Sequence, residues 1–271
     1  MKNENPMSKP EPWTMVSNGY TVSTKPMFEQ YCIEALRLAK FEENSKVLDV
    51  ACGPGTLSLL IYKEAHEVHS IDFSEGMLEC LKQEILNQDI HNIKTYLMDG
   101  QSLEFRNEEF DFIFSIFGLM FFPDRIKGFK EIFRTLKIGG RACVTSWADV
   151  SMSPLMHLMF SAMNSAFPDM PESNTKILNL EDPTVFENEM KEAGFSNVKI
   201  VHYDGAWIVN NINEFFDDMI NGSAPIVLLR SKIGEQVWLE KKDVMLKHLS
   251  DKLNKLPVTL HSRAYLGVGE K

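Results

Sequence analysis

The sequence lacks the features of several protein classes. Its four cysteines form no C-x-x-C pair and no His and Cys cluster has metal-site spacing, so we expect reduced core thiols and no metal. Lysine and arginine total 28 against 38 acidic residues, and the net charge of -10 opposes nucleic-acid binding. No window is apolar for the length of a membrane span, and the first residues have no apolar signal core. We therefore expect a cytoplasmic protein without a membrane span or a nucleic-acid partner.

A complete dinucleotide-binding turn is missing as well. The segment KVLDVACGPGTLSLLIYKEAHEVHSIDF, residues 46–73, has the pattern of a strand, a glycine turn, a helix and a second strand. In a G-x-G-x-x-G turn the third glycine lets the helix approach a pyrophosphate, but here that position is Ser58. Gly53 and Gly55 still force a tight turn into a helix N-terminus, and Gly55 has no Cβ to block a ligand. The turn therefore predicts a nucleotide-like ligand other than a pyrophosphate.

Acidic residues end three successive predicted strands. Asp49 ends the first, where a carboxylate repels a phosphate but tolerates an ammonium or sulfonium ligand. Asp72 ends the second, seventeen residues after Gly55, close to the spacing at which an acid accepts hydrogen bonds from ribose hydroxyls. Asp99 follows the third. One such acid alone is more simply a cap of the next turn or helix, but three with the glycine turn favour a cationic nucleoside.

At these residues the chain resembles the class I S-adenosylmethionine-dependent methyltransferases. Their first motif runs acid-x-Gly-x-Gly-x-Gly, and here it reads Asp49, Ala51, Gly53 and Gly55, with alanine in place of the first glycine. The segments IDFSEGML and MDGQSLEF resemble the next two motifs. FDFIFSIFGLMFFPD, residues 110–124, resembles the fourth strand and its loop in a bacterial small-molecule branch related to the ubiquinone and menaquinone methyltransferases.

The resemblance implies that S-adenosylmethionine is the cofactor and S-adenosylhomocysteine the product. By that similarity Asp72 holds the ribose and Phe73 covers one face of the adenine. Asp99 accepts the adenine amino group, while the backbone around Gly100 and Gln101 contacts the ring edge. Tyr20, with Trp13, is expected to close over the cofactor from the N-terminal side. The expected cofactor-binding residues are Tyr20, Asp49, Ala51, Cys52, Gly53, Gly55, Asp72, Phe73, Met77, Asp99, Gly100, Gln101 and Ser115.

The acceptor is less clearly indicated, because S-adenosylmethionine brings its own activated methyl group and requires no protein nucleophile. We expect a small, apolar or aromatic acceptor in a pocket formed by Phe117, Met120, Phe121 and Trp147. Phe121 and Phe122 fit a hydrophobic staple onto the next helix equally well. No catalytic residue is assigned. The candidate bases are His157, His202 and His261, each of which is more simply a structural or surface histidine.

Two other functions remain open at this point. A nicotinamide-dependent oxidoreductase would use a similar sheet, although Ser58 disfavours it. A non-catalytic module that binds S-adenosylmethionine would show the same cofactor motifs. The oligomeric state is also open between a monomer and a homodimer.

Alternating strand and helix patterns predict the architecture. The predicted strands are Ser45 to Val50, Glu67 to Asp72, Ile93 to Met98, Phe110 to Ile116, Gly140 to Trp147, Val198 to Trp207 and Val258 to Gly269. They indicate an α/β fold with a doubly wound, mostly parallel seven-stranded sheet, a Rossmann-like methyltransferase fold with helical cap insertions. The resemblance to the family implies that the last strand, Val258 to Gly269, is antiparallel to the others. The clearest helix is predicted over 123–137, ended by Gly139.

The alternation of strand and helix patterns breaks in two internal segments, 151–182 and 210–257. Residues 1–12 are expected to form a loose tail, and residues 13–271 one methyltransferase domain. We expect the segments 151–182 and 210–257 to be caps over the active-site end. The first is rich in methionine, which suits either the roof of an apolar pocket or a core or oligomer contact.

Overall fold

The computed structural model describes residues 5–169 and 180–271. Its strands are β1 Lys46–Val50, β2 Glu67–Asp72, β3 Ile93–Leu97, β4 Phe110–Ser115, β5 Leu136–Trp147, β6 Ser196–Val209 and β7 Val258–Glu270. They form one sheet in the order β3-β2-β1-β4-β5-β7-β6. The pairs among β1 to β5 are parallel, whereas β7 lies antiparallel between β5 and β6. The predicted seven-stranded sheet, including its antiparallel last strand, is confirmed.

Helices cover both faces of this sheet. They are α1 Pro10–Gly19, α2 Lys25–Ala39, α3 Thr56–Ile61, α4 Glu75–Asn87, α5 Arg125–Thr135, α6 Pro154–Ala166, α7 Pro183–Ala193, α8 Ile212–Asn221, α9 Ala224–Ile233 and α10 Glu235–Lys252. Because side chains alternate along a strand, the central strands supply two cores. Leu48 and Ile113 pack with Phe129 of α5, while Val47 and Phe112 belong to the cluster that includes α2 and α3. Burial on both faces explains the nearly continuous apolar strands.

The helix predicted over 123–137 is shorter than expected. It ends at Thr135, because Leu136 already pairs with Phe110 in the sheet. Gly139 lies inside β5 with a φ of 78° and does not end the helix. Its left-handed backbone accompanies a shift in register between β4 and β5, so the glycine serves a bulge in the strand.

The N-terminal segment differs from the expected loose tail. The side chain of Asn5 accepts a hydrogen bond from the Met7 N–H at 3.0 Å and starts a short 3-10 helix over Pro6–Ser8. Met7 is buried, and its carbonyl accepts the indole N–H of Trp13 at 2.9 Å. These contacts hold residues 5–9 against α1, whose first turn contains residues 10–12. Residues 1–4 lie outside the described part of the chain.

The cap segments form helices with a core of their own. The second segment forms α8, α9 and α10. Met159 of α6, Phe216 of α8 and Trp238 of α10 are buried together, and Met163 packs against them. The methionines of the first cap segment that belong to this cluster are therefore core side chains. Met170 was part of the same prediction but lies outside the described residues.

The structure also bears on the cysteines, on metal sites and on membrane spans. The cysteines Cys32, Cys52, Cys80 and Cys143 are free, and the first, second and fourth are buried. In the part of the chain that the structure describes, no group of His, Cys, Asp and Glu side chains is arranged to hold a metal ion. No helix within 5–169 or 180–271 has the length and hydropathy needed to cross a membrane.

Gly55 provides a test of how tightly α3 packs against α4. Its φ is 81°, and a Cβ at this position would overlap the Leu81 side chain, whereas Gly53, with a φ of 55°, has no neighbour within 4 Å of that point. Gly55 is therefore needed for helix packing. We expect Gly55→Ala to lower the free energy of unfolding by about 2 kcal/mol and Gly53→Ala by about 1 kcal/mol, the cost of backbone strain alone. Urea unfolding followed by circular dichroism measures both, and equal losses would contradict the packing role.

Candidate active site

A cavity of about 250 Å³ lies at the carboxyl ends of the parallel strands. In doubly wound sheets this is the edge at which ligands bind. Its lining comes from the turn after β1, the residues that follow β2 and β3, the loop after β4, and the segment around α1. The parallel direction of β1 to β4 brings these distant parts of the sequence together.

Asp72 lines this cavity and is 5% exposed. Its Oδ2 accepts the Gly53 N–H and its Oδ1 accepts the Ser74 N–H, both at 2.8 Å. Burial raises the pKa of the Asp72 carboxyl to about 6, and the backbone N–H groups of Ser74 and Gly53 limit that rise. Because a carboxylate has about four acceptor positions, the two oxygens retain capacity for ligand hydroxyls.

Asp49 was predicted to contact the ligand, but it does not line the cavity. It is 1% exposed, and its Oδ2 accepts a hydrogen bond from Ser58 Oγ at 2.6 Å. The same Ser58 hydroxyl lies 2.7 Å from Ser70 Oγ. Burial raises the pKa of the Asp49 carboxyl to about 7, the Ser58 hydrogen bonds oppose this, and the charge of Asp72 adds to the rise. Ser58, which stands where a dinucleotide-binding turn has its third glycine, thus connects α3 to β1 and β2 beneath the turn.

The turn itself presents backbone to the cavity. Ala51 and Gly53 both line it and both have a φ of 55°. A Cβ on Gly53 would meet no atom within 4 Å, so that peptide faces open space. Ala51 lies against Gly118 in the loop after β4, and a Cβ added to Gly118 would overlap the Cβ of Ala51. The absence of a side chain at Gly118 therefore lets the two loops meet.

The wall after β3 is held by hydrogen bonds within it and to the next loop. Asp99 is exposed, and its Oδ1 accepts the Gln101 N–H at 2.8 Å. The Gln101 Oε1 accepts the Asp124 N–H at 2.9 Å. A Cβ on Gly100 would lie 2.5 Å from the Phe122 Cζ, so the glycine makes room for that ring. Phe122 therefore packs beside the wall, and it also lines the cavity.

Aromatic side chains form the wall after β4. Phe117 has a φ of 57°, which is unusual for a bulky residue, and its N–H donates to Thr145 Oγ1 at 2.8 Å. Its ring stacks on Trp147 with centroids 4.0 Å apart. Phe117 and Phe121, two of the four residues expected in the acceptor pocket, line the cavity. Trp147 and Met120 do not line it, and they support the wall from behind.

The N-terminal segment closes the remaining side. Trp13 meets Phe121 edge to face, with ring centroids 5.1 Å apart, and both line the cavity. Tyr20 also lines it, and burial raises the pKa of its phenol far above the usual range. The hydroxyl of Tyr20 is therefore protonated at neutral pH.

The described residues of the two cap segments do not line the cavity, which the segments were expected to roof. Within the described ranges, the lining residues all lie between Ser8 and Pro123. The caps instead contact the elements that close it, since a Cβ on Gly19 of α1 would overlap the backbone of Asn221 in α8. Thr24, just after α1, donates a hydrogen bond to the Gly222 carbonyl at 3.3 Å.

The cavity brings together most of the predicted site. The lining includes Tyr20, Ala51, Gly53, Asp72, Phe73, Met77, Asp99, Gly100, Gln101, Phe117 and Phe121. Six predicted residues are outside it: Asp49, Cys52, Gly55, Ser115, Met120 and Trp147. Lining residues that were not predicted as site residues are Ser8, Met98, Ile116, Gly118, Phe122 and Pro123, with Trp13 as the expected closing residue. Five of these could have been found by continuing one or more residues around the ends of β3 and β4.

The three candidate bases lie elsewhere. His157, His202 and His261 are exposed, and none of them lines the cavity. His157 is on α6, where its N–H donates to the Ser153 carbonyl at 2.8 Å. His202 is on the edge strand β6, and His261 is on the neighbouring strand β7.

Comparisons with known proteins agree with this geometry. The chain matches the family described as "Methyltransferase domain" over residues 47–140. It is 30% identical over 199 residues to a demethylmenaquinone methyltransferase of Staphylococcus saprophyticus, with 66% of this chain and 83% of the relative covered. A demethylmenaquinone methyltransferase of Listeria monocytogenes is 26% identical over 189 residues, covering 64% of this chain and 78% of that one.

A solved structure shares the fold at low sequence identity. The phosphoethanolamine N-methyltransferase 2 of Haemonchus contortus, bound to phosphomonomethylethanolamine and S-adenosylhomocysteine, superposes with a TM-score of 0.57. The match covers 89% of this chain and 52% of that one at 18% identity.

The sheet, the matched domain and the relatives define the class. The chain belongs to the class I S-adenosylmethionine-dependent methyltransferases. Within this class it is related to the quinone methyltransferases, and S-adenosylmethionine is its cofactor and methyl donor. The predicted family, enzyme class and cofactor are confirmed, which argues against the oxidoreductase and the non-catalytic module.

Proposed function

We propose that this enzyme methylates a small, apolar aromatic acceptor of the quinol or phenol kind. The observation that carries the proposal is the composition of the cavity wall beside the acidic residues. Ile116, Phe117, Phe121 and Trp13 give it an apolar, largely aromatic surface that suits a planar ring. The name of the two bacterial relatives, demethylmenaquinone methyltransferase, supports a quinone-derived acceptor.

The residues around the acids suit the cofactor that the family requires. Among the described lining residues, the charged side chains are those of Asp72 and Asp99. Two carboxylates without a cationic neighbour in the lining favour a sulfonium compound over a phosphate. We propose that Asp72 holds the ribose hydroxyls, that Asp99 receives the adenine amino group, and that Phe73 and Met77 contact the ring. The open peptide of Gly53 leaves room for the ligand against the turn.

The chemistry asked of the protein is then limited to positioning. S-adenosylmethionine supplies a methyl group already activated by its positive sulfur. The chain has to hold the acceptor in line with that methyl group and keep water away. The pair of Trp13 and Phe121 closes the wall between α1 and the loop after β4. Phe117, stacked on Trp147, gives that wall a rigid backing.

Tyr20 contributes a hydroxyl donor to this arrangement. Because its phenol stays protonated at neutral pH, it acts as a hydrogen-bond donor toward the ligand and does not act as a base. A phenol or quinol hydroxyl loses its proton more readily than an alcohol does, so such an acceptor needs less assistance from a protein base.

Two measurements test the proposal in sequence. Calorimetry with S-adenosylhomocysteine and with a nicotinamide dinucleotide tests the site, and we expect only the first to bind. Turnover of methyl-labelled S-adenosylmethionine with quinols, phenols and amines then tests the acceptor class. Label on a quinol or phenol supports the proposal. Label confined to amines, or none on any acceptor despite binding, would contradict the acceptor class but not the site.

The exposed histidines give a further prediction. His157→Ala, His202→Ala and His261→Ala are each expected to leave turnover within about twofold of wild type, because exposed sites away from the cavity tolerate substitution. Initial rates at saturating S-adenosylmethionine measure this, and S-adenosylhomocysteine affinity serves as the control. A large loss of rate in one variant with unchanged affinity would identify that histidine as a base.

A further inference from the structure

A second groove lies at the other end of the sheet from the active-site cavity. Its volume is about 320 Å³, and it shares no lining residue with that cavity. It runs between the C-terminal end of α2, with Leu38 and the following Lys40, and the strands β6 and β7. Arg141 of β5 also lines it and pairs with Phe112 near the start of β4, which places the groove toward the amino ends of the parallel strands.

The floor of this groove is apolar because α2 stops short of the edge of the sheet. Further along, the helix covers β6 through Tyr31, whose ring lies 5.5 Å from that of Tyr203. Around the end of the helix, Leu38 of α2, Val201 of β6 and Val268 of β7 are only partly buried. Their side chains form a small apolar surface that no helix in the described chain covers completely.

The rim of the groove is mainly cationic. Lys40, Arg141 and Lys199 line it, against the single carboxylate of Glu270. That carboxylate is already engaged, since Arg141 Nε donates to its Oε1 at 2.9 Å and Asn197 Nδ2 to its Oε2 at 2.8 Å. Lys40 and Lys199 are exposed, and within the described residues neither has a carboxylate at ion-pair distance. This excess of positive charge stands out in a chain of net charge -10.

We propose that the groove binds a small amphiphilic anion, namely a phosphate monoester or carboxylate carried on a short hydrocarbon chain. The hydrocarbon chain lies on Leu38, Val201 and Val268, and the anionic group is held by Lys40 and Lys199. A purely polar anion leaves the floor unused, and exposed ion pairs alone are weak. A neutral hydrocarbon leaves the cationic rim unused. The combination of floor and rim is what selects an amphiphile.

The test titrates alkyl phosphates into the full-length protein carrying labelled valine methyl groups. Val201 and Val268 resonances, assigned by Val201→Ile and Val268→Ile, report on the floor. Hexyl phosphate is expected to shift both and to bind more tightly than butyl phosphate, by about fourfold for each additional buried methylene. Inorganic phosphate is expected to leave the valine methyl groups unchanged, and hexanol is expected to bind more weakly than hexyl phosphate.

Charge variants complete the test. Lys40→Glu combined with Lys199→Glu is expected to weaken hexyl phosphate binding about tenfold, because two favourable charges become repulsive. The matched control combines Lys82→Glu and Lys232→Glu, two exposed lysines elsewhere with the same change in net charge. S-adenosylhomocysteine affinity should stay at the wild-type value in both, which separates this site from the active site.

Several outcomes would overturn the proposal. They are unshifted floor valines at saturating hexyl phosphate, hexanol binding as tightly as hexyl phosphate, and equal weakening by the control variant. If S-adenosylhomocysteine did not bind the active-site cavity, the groove could still be tested. The valine methyl shifts and the affinity for hexyl phosphate are measured on different residues.

Discussion

Asp72→Ala is expected to weaken the binding of S-adenosylhomocysteine by about 1 to 3 kcal/mol, which corresponds to about 5- to 150-fold in Kd. The proposed ribose hydroxyls lose a charged, buried partner. The change also leaves the N–H groups of Gly53 and Ser74 without the oxygens that each approaches at 2.8 Å. The turn that faces the ligand is therefore less well held. Isothermal titration calorimetry measures the effect.

Asp99→Ala is the matched control for this prediction. The Asp99 side chain is exposed, so water compensates part of its loss, and we expect a smaller decrease in affinity. A thermal unfolding scan confirms that both variants are folded. Unchanged affinity in Asp72→Ala would refute the role proposed for this residue.

The pH dependence of binding adds a second check on Asp72. Since its pKa in the free protein is about 6, the carboxylate becomes protonated as the pH falls through that value. A protonated carboxyl accepts hydrogen bonds less well, so wild-type affinity should decrease below pH 6. The Asp72→Ala variant should lack this contribution.

The central strands β1, β2 and β4 were predictable because each is buried on both faces. In β2, for example, every residue after Glu67 is buried. Its observed range equals the predicted one, Glu67 to Asp72. Parallel strands place their ends at one edge of the sheet, so the residues that follow them could be assigned to one site. Asp72, Asp99 and Phe117 all follow this rule, and all line the cavity.

Whether a side chain near the end of a strand reaches the cavity or lies buried beneath the turn was not predictable in the same way. Asp49 is near the end of β1, but its side chain lies below the turn, where Ser58 covers it. The pattern of apolar residues shows which side chains of a strand share one face of the sheet. It does not show that a helix will place a hydroxyl over one of them, as α3 places Ser58 over Asp49. Trp13 and Tyr20 were expected in the N-terminal wall, but Ser8 and the buried Met7 beside it were missed for a related reason. Met7 packs with distant residues such as Met77 and Ala224, and no local pattern encodes those contacts.

Asp49→Asn is expected to raise the free energy of unfolding at pH 8 by about 1 to 3 kcal/mol. The wild-type carboxyl has a pKa of about 7 in the folded protein, against 3.8 for an exposed carboxyl. Between those values the folded state binds the proton more strongly than the unfolded state, so the contribution of this group to stability is lost as the pH rises from about 4 to 7. The asparagine carbonyl accepts the Ser58 hydroxyl without a buried charge.

Urea unfolding at pH 5 and pH 8 measures this prediction. The variant should be more stable than wild type at pH 8 and should lose less stability between the two values. Some dependence should remain, because the pKa of Asp72 is raised as well. Ser58→Ala is the matched control, since it removes a donor from the carboxylate and should destabilise the protein more at pH 8 than at pH 5. A variant that is less stable than wild type at pH 8 would mean that the ionised Asp49 supports the fold through its charge, and not only through its hydrogen bond to Ser58.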